Sequence, residues 1–248
     1  INKMDKVGAD FSLSLQSITD RLSNKALPIQ LPIGQESEFK GIIDLVEKKA
    51  YTFTGEHGVE IVEIDIPEDQ KDAAELHHQK LVEKIAESTD ALMEKYLGGE
   101  TLTTEDIALG IRTMVLSNEL YPVLCGSALA NIGVQCMLDS VVAYLPSPLD
   151  VPEISATAVD DPEKAIPVKA TDDEPFAALA FKVATDPFVG KLIFFRVYSG
   201  VVTSGSYIIN STSGKKERVG RIVRLHANSR EEVQEVYSGE IAAAIGLK

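Results

Sequence analysis

Around residues 146–174 the sequence changes character, and that change constrains the fold more than any other feature. Before it, apolar residues recur at helical spacing in some stretches and at strand spacing in others. After it, β-branched and aromatic runs follow one another, separated by Gly, Ser and Asn. The zone itself opens with "PSPLDVP" (Pro146–Pro152) and is rich in Pro, Asp and Ala, and its prolines interrupt helix and strand alike. The 248-residue chain is therefore expected to hold an α/β part and a separate β part. Residues 148–173 read as a linker, and 174–248 as an antiparallel barrel or sandwich.

Within the first half, Phe11, Leu15, Ile18 and Leu22 line one face of a short helix over 9–22. "LPIQLPIG" (Leu27–Gly34) carries two prolines and is expected to be extended. "FKGIIDLVEKKAYTF" predicts strand and turn. "VEIVEIDIP" (Val59–Pro67) predicts a half-exposed strand with an acidic outer face. From Glu68 to Tyr96, Ala74, His78, Leu81, Ile85, Leu92 and Tyr96 predict one helix, ended by Gly98 and Gly99. Thr103 and Asp106 have the spacing of a capping box, ahead of an apolar face of Ile107, Ile111, Met114 and Val115. "YPVLCGSA" reads as a short apolar strand and turn. Gly133–Leu145 reads as a helix with Val134, Leu138, Val141 and Leu145 on one side.

Charge divides the chain as well. The formal net charge is −14, yet residues 35–106 alone hold 19 acidic and 7 basic residues, whereas 174–248 hold 7 acidic and 10 basic. Overall acidity argues against general nucleic-acid binding but leaves room for a local basic face. Lys215, Lys216, Arg218, Arg221 and Arg224 form such a cluster around a predicted hairpin. No stretch reaches the roughly 18 apolar residues that a membrane helix needs. Cys125 and Cys136 make neither a disulfide framework nor a zinc motif and read as buried thiols. Adjacent His77 and His78 point about 100° apart on a helix and do not chelate. Phe188, Phe194 and Phe195 read as barrel core or domain packing, and the pairs Glu231-Glu232 and Asp172-Asp173 as solvated loops.

Two short motifs carry chemistry. "NKMD" (Asn2–Asp5) has the form of a base-reading loop. A carboxylate at Asp5 can accept two hydrogen bonds at once, from N1–H and the 2-amino group of guanine, and adenine offers neither donor. Asn2 can bond the base edge and tie loops together, Lys3 can lie along the base plane, and Met4 reads as a spacer. "CGSAL" (Cys125–Leu129) follows an apolar strand. Ser127 would brace Asp5, and Ala128 would donate its backbone N–H to guanine O6. The two motifs are separated by more than the about 30 residues of one βαβ unit, so the acidic block between them reads as an inserted subdomain. No GxxxxGK[ST] run occurs anywhere, and no Asp-x-x-Gly precedes Asn2.

The stretches "NKMDKVGADF", "PIQLPIG", "LMEKYLGGE", "PVLCGSAL", "YLPSPLDVP", "DEPFAALAFKVATDPFVGKLIFFRVYSG" and "GKKERVGRIVRLHANSREEV" resemble the bacterial elongation factor G family of translational GTPases. The resemblance runs over nearly the whole chain. It implies the C-terminal part of a P-loop GTPase-type α/β domain at 1–24 and 107–147. It implies an inserted α+β G′ subdomain at 25–106, and an incomplete translation-factor β-barrel, domain II, at 174–248. It implies that Asn2, Lys3 and Asp5 bind guanine, with Ser127, Ala128 and Leu129 completing the pocket. GTP or GDP would be the ligand, and Mg²⁺ would belong to the parent protein with its ligands outside this sequence. The implied setting is the cytoplasm. The implied partners are the ribosomal stalk protein, through G′, and small-subunit rRNA, through domain II. On this reading the chain is an internal fragment of a translocase that alone hydrolyses no GTP. A non-catalytic ribosome-binding module and a ribosomal protection protein stay open beside it. A fragment of this kind is also expected to expose the edge or face of the "PVLCG" strand.

Overall fold

The computed structural model describes residues 1–158, 161, 163–186, 190–227 and 229–247. The chain forms two compact units, Ile1–Leu145 and Pro146–Lys248. The first holds five α-helices: α1 (Phe11–Arg21), α2 (Lys71–Ala86), α3 (Asp90–Leu97), α4 (Thr104–Leu116) and α5 (Val134–Tyr144). Their starts follow from local chemistry. Asp10 accepts from Leu13 N–H ahead of α1, and Thr89 accepts from Leu92 N–H ahead of α3. Thr103 and Asp106 form the reciprocal capping box that their spacing predicts.

Four strands make an antiparallel sheet in chain order: Gln30–Ile33, Gly41–Asp44, Lys49–Thr54 and Glu60–Ile64. Ile42, Ile43 and Ala50 of this sheet are fully buried, as are Leu81 and Ile85 of α2 and Ile111 of α4. All belong to one core. A separate parallel pair joins Ala26–Pro28 to Tyr121–Val123. The strand of "PVLCG" is therefore partnered, and Val123 and Cys125 are buried.

Helix α4 meets α2 at Gly110. A Cβ there would stand 2.2 Å from Ile85 Cγ2 and 3.0 Å from Ser88 Oγ. Gly110→Ala is therefore expected to destabilise the unit by about 1–3 kcal/mol. That outweighs the roughly 1 kcal/mol that Ala gains over Gly in a helix. Urea denaturation followed by the helical circular dichroism signal checks the sign.

Three local expectations change. The span Glu68–Tyr96 is two helices, because the chain breaks at Ser88 and Thr89 takes the N-cap role, for which its hydroxyl is suited. Strand Glu60–Ile64 is an edge strand exposed on both faces, so Ile61 and Val62 lie at the surface beside the acids. On α5, Leu138 and Val141 are exposed, as is Leu145 just past its end, and the buried residue is Tyr144. Among the described residues, no element of this unit covers that apolar face.

Among its described residues, the second unit holds strands and no helix. Its main antiparallel sheet runs Ser229–Val233, Ile222–His226, Ile241–Ile245, Gly190–Ser199, Ala177–Asp186 in spatial order. Phe195, Val197, Ile222, Ala242 and Ala244 fill its core with Val202, Val219 and Val236. Phe194 is partly buried on a second cluster with Leu192, Val223 and Ala243. Phe188 lies outside the described residues. Glu231 and Glu232, expected in a loop, are exposed strand residues paired with Arg224 and Val223. Within the span expected as a linker, Ile154–Thr157 pairs with Ala165–Val168. Among the described residues, no helix is long and apolar enough to cross a membrane.

Candidate functional site

Backbone hydrogen bonds bring the two motifs together. Gly126 N–H donates to Ile1 O at 3.0 Å, and Met4 N–H donates to Gly126 O at 3.1 Å. Met4 is not a spacer. It is 1% exposed and belongs to the core. The motif is thus pinned from within, while Asn2 and Lys3 stay exposed.

Asn2 folds its side chain over the loop. Its Oδ1 accepts from Lys3 N–H at 2.7 Å and from Ala128 N–H at 3.0 Å. The first bond closes a tight turn that holds Lys3 at φ +67. The second links the two motifs across 126 positions of sequence. The Ala128 N–H, expected to face guanine O6, is engaged by Asn2 here. A base at this site would share that donor or displace Asn2.

The second loop is closed at its base. Ser127 N–H donates to Ile132 O at 2.9 Å, and Ile132 N–H donates back to Ser127 O at 3.0 Å. Close approaches demand glycine on either side. A Cβ on Gly126 would stand 2.7 Å from Ile132 O, and one on Gly133, at φ +77, would stand 2.8 Å from Cys125 O. Ser127 is buried at 1% exposure, whereas Ala128 and Leu129 are exposed. Cys125 beneath the loop is buried, and burial pushes its thiol up to about 12, which marks a structural cysteine.

Asp5 stands where the loops meet. Lys6 Nζ lies 2.9 Å from its Oδ2. Lys6 first, then the neighbouring Ser127 hydroxyl, hold the carboxyl below the usual carboxylate range. Its Oδ1 is closed to solvent, yet no donor completes a hydrogen bond to it. An ionised acceptor left unpaired and closed to solvent is costly unless a donor arrives. A ligand edge with two adjacent N–H groups matches such a carboxylate once Oδ1 is uncovered and Lys6 shares Oδ2, and guanine has such an edge.

Asn2, Lys3, Met4, Lys6 and the first turn of α1 line a cavity of about 230 Å³, and neither Asp5 nor Ser127 nor Ala128 belongs to its walls. That is below the roughly 300 Å³ at which ligand pockets begin, so this cavity does not enclose a nucleotide. A larger cavity, about 850 Å³, lies elsewhere, between Leu45, Ile66 and Ala74. Its acids face Lys48 and Lys71, and Lys48 already pairs with Glu75. Among the described residues, no group of three or more His, Cys, Asp or Glu could hold a metal ion. His78 Nδ1 lies 2.7 Å from Leu45 O, so that histidine is a structural one.

In the second unit, Tyr207–Asn210 pairs with Lys215–Arg218 as a hairpin. Tyr207 and Ile209 are exposed, and Lys216 Nζ lies 4.8 Å from the Tyr207 ring centroid. Arg224, expected in the same basic cluster, is paired with Glu240 at 2.8 Å.

A family model described as the elongation factor Tu GTP binding domain matches residues 1–147. A second, described as elongation factor Tu domain 2, matches residues 190–248. Among solved structures, that of ttk003000868 from Thermus thermophilus is similar, with a TM-score of 0.75 and 27% identity. The alignment covers 99% of this chain but 33% of the other, so the chain spans about a third of that protein's length.

Proposed function

Because the chain belongs to the elongation factor Tu GTP-binding domain family, we propose that it carries the guanine-reading part of an elongation-factor-G-type GTPase of translation. The observation that supports this most directly is the unpaired, solvent-closed Oδ1 of Asp5 beside Ser127. Asp5 takes N1–H and the 2-amino group of guanine. Ser127 braces the carboxylate, Asn2 ties the loops, Lys3 lies along the base, and Ala128 and Leu129 close the far side. GTP and GDP are the ligands in the whole protein, with Mg²⁺ held by residues outside this sequence. Binding and hydrolysis of GTP there would drive movement of tRNA and mRNA on the ribosome in the cytoplasm.

The partners follow the same division. The acidic insertion, 25–106, is the docking part for the basic stalk protein. The exposed face of the Tyr207–Arg218 hairpin meets small-subunit rRNA, where Lys and Arg act on phosphates without reading sequence. The exposure of Tyr207, Lys216 and Arg218 supports this.

Catalysis needs groups that hold phosphates and metal, and the sequence contains no GxxxxGK[ST] run. The purified chain is expected to release no phosphate from GTP above a no-protein control. It is also expected to bind GDP in the millimolar range, because base contacts alone lack the charged phosphate contacts. Amide shifts of Asn2, Asp5 and Ala128 on titration with GDP, and none with ADP, are the positive test. Equal responses to both nucleotides would overturn the guanine reading, and measurable hydrolysis would overturn the inactivity.

A further inference from the structure

The turn Gly55–Gly58, at the end of strand Lys49–Thr54, reaches the loop after Ser127. Gly58 O accepts two side-chain hydrogen bonds, from Asn131 Nδ2 at 3.3 Å and from Gln135 Nε2 at 3.0 Å. Backbone approaches backbone just as closely. A Cβ on Gly58 would stand 2.9 Å from Ala130 O and 3.1 Å from Asn131 O. Gly58 also sits at φ +62, so position 58 demands glycine for two independent reasons.

The loop needs such a clasp. Ser127 and Ile132 bond to each other at its base, but Ala128, Leu129 and Ala130 are exposed, and Asn131 holds φ +54. Asn2 fixes the front of the loop through Ala128 N–H, and Gly58 fixes its back. Gln135 has its Oε1 buried without a partner, so the bond to Gly58 orients that side chain.

We propose that Gly58 is a positioning residue of the nucleotide site: through Asn131 and Gln135 it sets the loop Ser127–Ile132 against Asp5. The proposal rests on the guanine reading above. It gives the inserted sheet a role inside the base-binding site, in addition to any partner it meets. A shift of the Gly55–Gly58 turn is felt at Ala128 and Ser127, because the loop is closed at its base and held at both sides.

The test uses the full chain labelled with ¹⁵N. In Gly58→Ala the amides of Asn131 and Ile132 are expected to exchange about tenfold faster, and GDP to bind about tenfold more weakly, as for loss of one or two hydrogen bonds. Gln135→Leu removes one donor without a backbone clash and should move both readouts in the same direction by a smaller factor. Amides of α4 should keep their exchange rates in Gln135→Leu, which separates loosening of the loop from loss of fold. The preference for GDP over inosine diphosphate should stay constant, because Asp5 is untouched. Unchanged loop exchange in both variants would overturn the proposal, and so would faster exchange with unchanged GDP affinity. If the wild-type chain responds alike to GDP and ADP, the guanine reading fails. The exchange rates then still report a clasp, but one that positions nothing for a base, and the proposal falls with that reading.

Discussion

Replacing Asp5 with Asn is expected to remove the preference for GDP over inosine diphosphate, which lacks the 2-amino group. The carboxylate accepts through both oxygens, and its Oδ1 is the unpaired acceptor of the site. An amide presents one oxygen and turns an NH₂ group toward the base, so one bond is lost and one contact becomes repulsive. Hydrogen bonds to charged groups contribute about 1.5–3 kcal/mol, so the preference should fall by roughly 10–100-fold. Titrating both nucleotides into wild type and variant, with amide shifts as the readout, measures the ratio. An unchanged ratio would place base reading elsewhere. Acid adds a second check. Lys6 and Ser127 lower the Asp5 carboxyl from its ordinary value of 3.8. A depressed carboxylate keeps its charged-state interactions above the unfolded value and loses them only as pH falls through the lowered folded value. The preference should therefore be flat on acidification from neutral pH to the usual carboxylate range and vanish only below it.

How far the sequence carries this can be judged residue by residue. Helix α1 was legible because Phe11, Leu15 and Ile18 keep helical spacing; that Asp10 caps its start came from the structure. The capping box at Thr103 was legible because two side chains at fixed spacing suffice to make it. The break at Ser88 was not, because Leu81, Ile85, Leu92 and Tyr96 stay in phase across it; only the tertiary fold made Thr89 a cap. Exposure of Leu138 and Val141 was hidden for a related reason: an apolar stripe predicts a partner but does not supply one. Strand Glu60–Ile64 alternates as a half-buried strand does, yet its place at the sheet edge leaves both faces open. At the site, the pairing of "NKMD" with "CGSAL" was legible from residue types. The bond from Ala128 N–H to Asn2 was not, and neither was the reach of Gly58 to Asn131, which joins residues 73 positions apart. Each depends on loop conformations with positive φ that no periodic pattern encodes.

If the proposed guanine site is right, Met4 joins core stability to base recognition, and Met4→Ala is expected to damage both. The side chain is 1% exposed in the core of the first unit. Truncating a buried Met to Ala costs about 2–5 kcal/mol, through lost burial and the cavity left behind. The backbone bond from Met4 N–H to Gly126 O holds the first motif on the second, and it depends on Met4 being seated. Loss of the anchor should therefore free Asn2, Lys3 and Asp5 as a group, raising exchange at Met4 and Gly126. Met4→Leu keeps nearly the same volume and should cost less than about 1.5 kcal/mol. Among the described residues all five α-helices lie in the first unit, so helical circular dichroism during urea denaturation reads that unit without the second. A midpoint for Met4→Ala as high as that for Met4→Leu would mean the motif is held by its backbone bonds alone. Lower stability together with unchanged exchange at Gly126 would instead separate the core role of Met4 from its hold on the "NKMD" loop.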